Sequence, residues 1–142
     1  MAAAGLVGRW RLVSWSTAAS DGAVAYPFGE RAEGSIVYTP AGWMTVSLAK
    51  AGRERMPTDD IVGGSEAERA AAYSSYVAYC GTYEVDGSVV IHRVQMSMFP
   101  NWVGSEQQRQ FELSGDELLT LRSTVHIDGG PVVSELRWIR EE

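Results

Sequence analysis

The sequence lacks several features that would place it quickly in a class of protein. It has one cysteine, Cys80, which cannot form a disulfide bond within the chain, and this favours a reducing, cytoplasmic location. No apolar run approaches the roughly 18 residues that a membrane-spanning helix needs, and residues 1–5 lack the basic start and apolar core of a signal peptide. We therefore expect no membrane partner.

Positive charge and metal-ligand patterns are also scarce. The chain has 12 lysines and arginines against 18 aspartates and glutamates, a net charge of −6, which excludes the basic face that nucleic-acid binding needs. Its two histidines, His92 and His126, are far apart, and neither paired-cysteine spacing nor a glycine-rich nucleotide loop is present. We read His126 as a surface residue and expect neither a metal nor a cofactor.

What the chain does contain is repeated two-residue alternation of apolar and polar side chains, separated by Gly, Asp and Pro turns. This pattern predicts antiparallel strands, and Asp86-Gly87 predicts a type I′ hairpin turn between two of them. The 142 residues would form one domain, 1–142, as an all-β barrel of about eight strands with one inserted helix; a sandwich is the alternative. The predicted strands are 8–16, 34–39, 43–49, 81–85, 88–98, 105–113, 117–127 and 131–140.

One segment, 65–80, has helical character. Ser65 can cap its first turn, where acidic residues suit the helix dipole, and alanines raise its propensity. Tyr73, Tyr76 or Val77, and Cys80 follow a helical spacing. We expect one helix over the whole segment, with this stripe packed inward.

Four motifs give the chain a resemblance to the lipocalin-like domain family, small bacterial and fungal barrels of the calycin type. They are GRW at 8–10, YCGTY at 79–83, FPNWVG at 99–104 and LRW at 136–138. The resemblance implies a barrel that binds small molecules, and some members beside secondary-metabolite pathways can act as cyclases or isomerases. It also implies that Trp10 closes one barrel end by stacking on Arg137 or Arg140.

His92 and Arg109 are the main candidates for chemistry. In the alternation His92 shares an apolar face with Val90, Val94 and Met96, so it should point into the lumen. There it could shuttle a proton, or it could be a core histidine satisfied by a tyrosine or a carbonyl. Arg109 could anchor a ligand anion or oxyanion; alternatively it could pair with an acidic residue or lie at an exposed strand end.

Aromatic residues with polar tips complete the predicted site. Tyr79 and Tyr83 flank Gly81 and should point the same way, which suits a pocket for an unsaturated ligand, although each could also be plain core. Tyr83 is a second candidate for oxyanion stabilisation. The predicted catalytic residues are His92, Arg109 and Tyr83, and the predicted ligand-binding residues are Tyr38, Met44, Tyr76, Tyr79, Val90, Val94, Met96, Trp102 and Phe111.

Three functions fit these observations. The preferred hypothesis is binding of a small, largely apolar organic molecule in the barrel lumen. The second is a cyclase or isomerase of the same shape, with His92 as proton shuttle. The third is a filled barrel that acts through its surface or as a homodimer. An open lumen would favour the first two hypotheses, and a lumen packed with side chains would favour the third.

Overall fold

The computed structural model describes residues 5–142, and within them it contains one α-helix and nine strands. A single 3-10 turn, Pro100–Trp102, follows the sixth strand. The strands and the helix are, in chain order, β1 (Gly8–Ala18), β2 (Val24–Ala25), β3 (Glu33–Tyr38), β4 (Trp43–Ala49), α1 (Glu66–Ser74), β5 (Tyr76–Asp86), β6 (Val89–Ser97), β7 (Glu106–Ser114), β8 (Leu118–Ile127) and β9 (Gly130–Arg140).

Eight of the strands close into a barrel. Each pairs antiparallel with its neighbour in the order β1-β3-β4-β5-β6-β7-β8-β9, and β9 returns to β1 over the register Trp10↔Arg140 to Ala18↔Val133. The two-residue strand β2 pairs only with the end of β1. The predicted fold, an eight-stranded antiparallel barrel with one helix, is confirmed.

The hairpin between β5 and β6 is confirmed, but its turn lies one residue later than predicted. Asp86 pairs with Val89, so the two central residues are Gly87 and Ser88. Gly87 has φ +60°, and Asp128 is the one non-glycine residue with positive φ in the described chain. Positive φ at the first central position alone is typical of a type II′ turn, so the predicted type I′ turn is wrong.

The helix is shorter than predicted. Ser65 does cap it, accepting from the Glu68 backbone in a capping box, but α1 ends at Ser74 and none of its residues is buried. Tyr76 and Cys80 lie on β5 instead, paired with β4. The segment 76–86 is rich in β-branched and aromatic residues and has a β4 edge to pair with, and this tertiary pairing outweighs the local helical spacing. The predicted inward helical stripe is therefore wrong.

A β-bulge also changes the predicted lumen face of β6. The register shifts so that Cys80 pairs with Met96 while Gly81 pairs with Val94. Only glycine fits at Gly81, because a Cβ there would overlap the carbonyl oxygen of Arg93. Beyond the bulge the alternation is displaced, and Met96 is 68% exposed. The prediction that Met96 faces the lumen is wrong.

One end of the barrel, here called the closed end, is sealed by Trp10, Leu6 and Arg140. The Trp10 indole is fully buried, and its N–H donates to the carbonyl of Leu6 at 2.9 Å. The Arg140 guanidinium lies 4.2 Å from the ring centroid of Trp10. The predicted stacking is confirmed for Arg140, whereas Arg137 pairs with Glu135 on the outer surface.

Candidate functional site

A cavity of about 350 Å³ occupies the barrel on the side away from the closed end. Its outermost lining residues, Tyr73 of α1, Phe99 before the 3-10 turn and His126 of β8, define what we call the cavity end. Most of the wall is apolar. The other lining residues are Trp15, Ile36, Val46, Leu48, Val77, Tyr79, His92, Met98, Trp102, Arg109, Leu121, Ser123, Val125, Ile127, Ser134, Leu136 and Trp138.

A hydrogen-bonded chain of three side chains runs from the core to this cavity. His92 on β6 is 1% exposed, and both of its ring nitrogens are engaged. Its Nε2 lies 2.7 Å from the hydroxyl of Tyr38 on β3, and its Nδ1 lies 2.6 Å from the hydroxyl of Tyr79 on β5. These contacts match the predicted alternative, in which His92 is a core histidine whose hydrogen bonds are satisfied by tyrosine.

Burial sets the protonation states of these groups. It lowers the pKa of His92 to about 3, and the positive charge of Arg109 adds to this effect, so the imidazole is neutral near pH 7. Burial raises the pKa of Tyr38 and of Tyr79, while the charge of Arg109 acts in the opposite direction on both. The hydrogen-bonded chain Tyr38–His92–Tyr79 therefore consists of two neutral hydroxyls and a neutral imidazole.

Arg109, on β7, brings a positive charge to the cavity wall. It donates to the side-chain oxygen of Gln107 at 3.3 Å and to the backbone carbonyl of Gln108 at 3.2 Å. None of the ion pairs found across residues 5–142 involves Arg109. Within the described residues, Arg109 therefore does not form the predicted alternative of a structural ion pair with an acidic residue.

An aromatic wall stands beside this chain. Trp102, on the 3-10 turn, meets Tyr79 edge-to-face at 5.7 Å between ring centroids, and Phe99 meets Trp102 in the same way at 5.4 Å. On the opposite side Trp15 donates its N–H to the hydroxyl of Ser134 at 2.9 Å. Such surfaces suit a flat or unsaturated ligand.

The structure brings together four of the residues predicted for the site: His92, Arg109, Tyr79 and Trp102 all line the cavity. The other predicted residues lie elsewhere. The hydroxyl of Tyr83 donates to the carbonyl of Thr39 at 2.7 Å. Those buried in the core without lining the cavity are Tyr38, Met44, Val90 and Val94, and those only half-buried outside it are Tyr76 and Phe111.

Sequence reasoning missed the polar groups of the β8–β9 wall. Ser123, Ser134 and Trp138 all line the cavity. The indole nitrogen of Trp138 and the hydroxyl of Ser123 are buried without a hydrogen-bond partner in the described part of the chain. Alternation on β9 puts Trp138 on the inward face, but no sequence signal shows whether an indole N–H is paired.

The described residues contain neither a metal-binding cluster nor a membrane-spanning helix. Within residues 5–142, no three His, Cys, Asp or Glu side chains cluster in a way that could hold a metal ion. The same residues contain no helix with the length and apolarity to cross a membrane.

Comparison with known proteins shows the family. The sequence profile of the lipocalin-like domain matches residues 7–140. The chain is 34% identical over 106 residues to the 4′-hydroxy-3′-methoxypropiophenone carrier protein ppsC of Aspergillus oryzae, covering 67% of this chain and 94% of that protein. A solved redesigned β-barrel aligns over 99% of this chain and 96% of its own, at 15% identity and a TM-score of 0.47. The barrel and the carrier relative support small-molecule binding, and the chain belongs to the lipocalin-like domain family.

Proposed function

We propose that this protein binds a small, largely apolar organic molecule in its cavity. The observation that carries the proposal is the cavity itself: about 350 Å³ of space with a mostly apolar wall and few polar groups. Ligand sites of roughly 300–1,000 Å³ commonly have this composition, with polar groups that fix the orientation of the ligand. A cavity of this size speaks against the filled-barrel hypothesis.

The aromatic surfaces narrow the ligand class. Trp102 and Tyr79 present one aromatic wall and Trp15 another, so a planar, unsaturated molecule would contact rings on two sides. The relative from Aspergillus oryzae carries an aryl ketone by its name, a molecule of this class. We therefore propose an aromatic or conjugated ligand.

A pair of matched variants tests this proposal. Val125 lines the cavity, and Val133 on the neighbouring strand is 49% exposed on the outer surface. We expect Val125→Trp to occupy the cavity and to abolish binding of 4′-hydroxy-3′-methoxypropiophenone in equilibrium dialysis, while Val133→Trp binds like the wild type. Equal binding by both variants would contradict a site in the cavity.

A second measurement addresses the natural ligand. Native mass spectrometry of protein purified from its own host, with a denatured control, should show a small molecule that is released on denaturation. Its mass and fragmentation would identify the ligand class. Release of the same molecule from Val125→Trp protein would place it outside the cavity and contradict the proposal.

Isomerisation or cyclisation is the second candidate, favoured by the hydrogen-bonded chain Tyr38–His92–Tyr79, which ends in the cavity. Its drawback is basicity: a His92 pKa of about 3 makes the imidazole a weak base near pH 7. Tyr79, which faces the ligand space, would have to transfer the proton. Loss of turnover with retained binding in Tyr79→Phe would favour catalysis over carriage.

A further inference from the structure

We propose that the ligand is bound through hydrogen-bond-accepting oxygens, as in an aryl ketone or enone, because the donor-bearing side chains of Trp138, Tyr79 and Arg109 line one cavity whose described lining includes no carboxylate. This inference rests on the proposed function and specifies which ligands that site prefers. Three features of the wall lead to it.

The first feature is the indole N–H of Trp138. The side chain is 1% exposed and lines the cavity, and its nitrogen has no hydrogen-bond partner among the described residues. An indole can only donate, and a buried donor left unpaired costs about 1–3 kcal/mol. A ligand oxygen that accepts from this N–H would recover that free energy.

The second feature is the direction of the Tyr79 hydroxyl. A neutral imidazole donates from one nitrogen and accepts at the other, so His92 must donate to one tyrosine and accept from its partner. Across residues 5–142, the buried hydroxyl of Tyr38 bonds to His92 alone. If Tyr38 accepted from the ring, its own proton would be buried without an acceptor, so we assign it as the donor to Nε2.

This assignment also fixes the direction of the hydrogen bond between His92 and Tyr79. His92 then carries its proton on Nδ1 and donates it to the oxygen of Tyr79, 2.6 Å away. The Tyr79 hydroxyl proton is thereby left for another acceptor, and Tyr79 lines the cavity. His92 is therefore a positioning residue that makes Tyr79 a donor to the ligand.

The third feature is Arg109. A guanidinium has five N–H donors and no acceptor, and the hydrogen bonds to Gln107 and Gln108 leave further N–H groups available. Its charge has no carboxylate partner among the ion pairs of the described chain. It therefore favours a partly negative ligand oxygen over a ligand N–H.

Acceptors deep in the cavity are few by comparison, and the exposed His126 ring lies only at the cavity end. The Ser134 hydroxyl already accepts from Trp15, and the Ser123 hydroxyl is unpaired within residues 5–142 and can donate or accept. No aspartate or glutamate lines the cavity in the described structure. A ligand rich in donors, such as an amine, would leave its own groups and those of the wall unpaired.

The test uses two probes of nearly the same shape: propiophenone, and 2-phenyl-1-butene, in which C=CH₂ replaces the ketone C=O. Dissociation constants are measured by equilibrium dialysis with chromatographic detection. We expect the wild-type protein to bind the ketone about tenfold more tightly or better, because only the ketone oxygen accepts hydrogen bonds.

Three variants locate the preference. We expect Trp138→Phe, Tyr79→Phe and Arg109→Met each to weaken ketone binding by about threefold to tenfold and to leave alkene binding near the wild-type value. Alkene binding also reports that each variant keeps its cavity. The controls are Trp43→Phe and Tyr26→Phe, which change exposed aromatic residues and should leave both constants unchanged.

The outcomes are distinguishable. Equal wild-type affinity for ketone and alkene, with both lost in Val125→Trp, would overturn this inference and leave the proposed function standing. A ketone preference that survives in all three variants would also overturn it. If the wild type binds neither probe up to its solubility limit, the proposed function and the inference fail together.

Discussion

The closed end and the cavity of this barrel each combine a tryptophan with an arginine, but their polar groups are used differently. At the closed end the Trp10 N–H donates to the Leu6 carbonyl, and Arg140 stacks on the ring while donating to three backbone carbonyls. In the cavity, the Trp138 N–H has no partner in the described chain, and Arg109 takes part in none of its ion pairs.

The comparison separates residues whose polar groups are paired within the fold from residues whose polar groups are left for a ligand. Buried polar groups in a purely structural position are almost always paired, because each unpaired one costs about 1–3 kcal/mol. Unpaired polar groups line the cavity of this barrel, so they lower the stability of the protein without ligand. A ligand that pairs with them would raise it again. Stability should therefore depend most on the closed end and ligand affinity most on the cavity.

The largest expected effect is at Trp10. Trp10→Ala removes a fully buried indole that seals the barrel and should lower the free energy of unfolding by about 3–5 kcal/mol in urea denaturation. Trp43→Ala is the matched control, because Trp43 is 52% exposed, and we expect a loss of less than about 1 kcal/mol. Similar losses in the two variants would show that the closed end does not anchor the fold.

The next effect is at Arg140, which donates to the carbonyls of Gly5, Val7 and Asp116 at 2.6 Å each. Arg140→Met leaves these oxygens without their donor, and we expect a loss of about 2 kcal/mol or slightly more. The control Arg137→Met removes an exposed ion pair and should cost about 0.5 kcal/mol or less. Ligand affinity should not change in either variant. A large drop in affinity for Arg140→Met would show that the closed end also contributes to ligand binding.

A pH dependence of similar size is expected from His92. Its pKa is about 3 when folded and about 6.5 when unfolded, so the unfolded state binds more protons between these values and stability rises with pH. The stabilisation is complete above the unfolded pKa. From about pH 7 to about pH 5 we expect the free energy of unfolding to fall by about 2 kcal/mol.

Two variants identify the source of this slope. The groups facing His92 are Tyr38, Tyr79 and Arg109, none of which has an ordinary pKa between 5 and 7. His92→Gln should therefore flatten the dependence, and His126→Gln, at an exposed position, should keep it. A slope that persists in His92→Gln would assign the protonation to another group.

The sequence allows the barrel to be predicted, because alternation and Gly-containing turns are local signals. It fails where a distant contact decides the outcome. The segment 76–80 has helical spacing and alanine neighbours, yet it forms β5 because β4 offers it a full set of backbone partners. Met96 turns outward because of a bulge opposite Gly81, where one inserted residue reverses the face of the strand residues just beyond it.

The candidate site follows the same rule. Alternation suffices to point His92 and Arg109 into the barrel, and both line the cavity. It does not tell how far along the barrel a side chain lies, so it also predicts Val90 and Met44 in the site, although they lie in the core without lining it. The state of the Trp138 N–H depends on atoms from several strands, which no local pattern encodes.

The smallest expected effect gives the sharpest comparison, because the same substitution is made in both regions. Trp10→Phe deletes a hydrogen bond that is made and leaves the Leu6 carbonyl without it, whereas Trp138→Phe deletes an N–H that has no partner in the described chain. Both indoles are buried and lose the same volume, so this term largely cancels. Urea denaturation should show Trp10→Phe to be the less stable variant by about 1 kcal/mol. Propiophenone affinity should rank them in the opposite order, and an equal loss of stability would mean that the Trp138 N–H is satisfied within the fold.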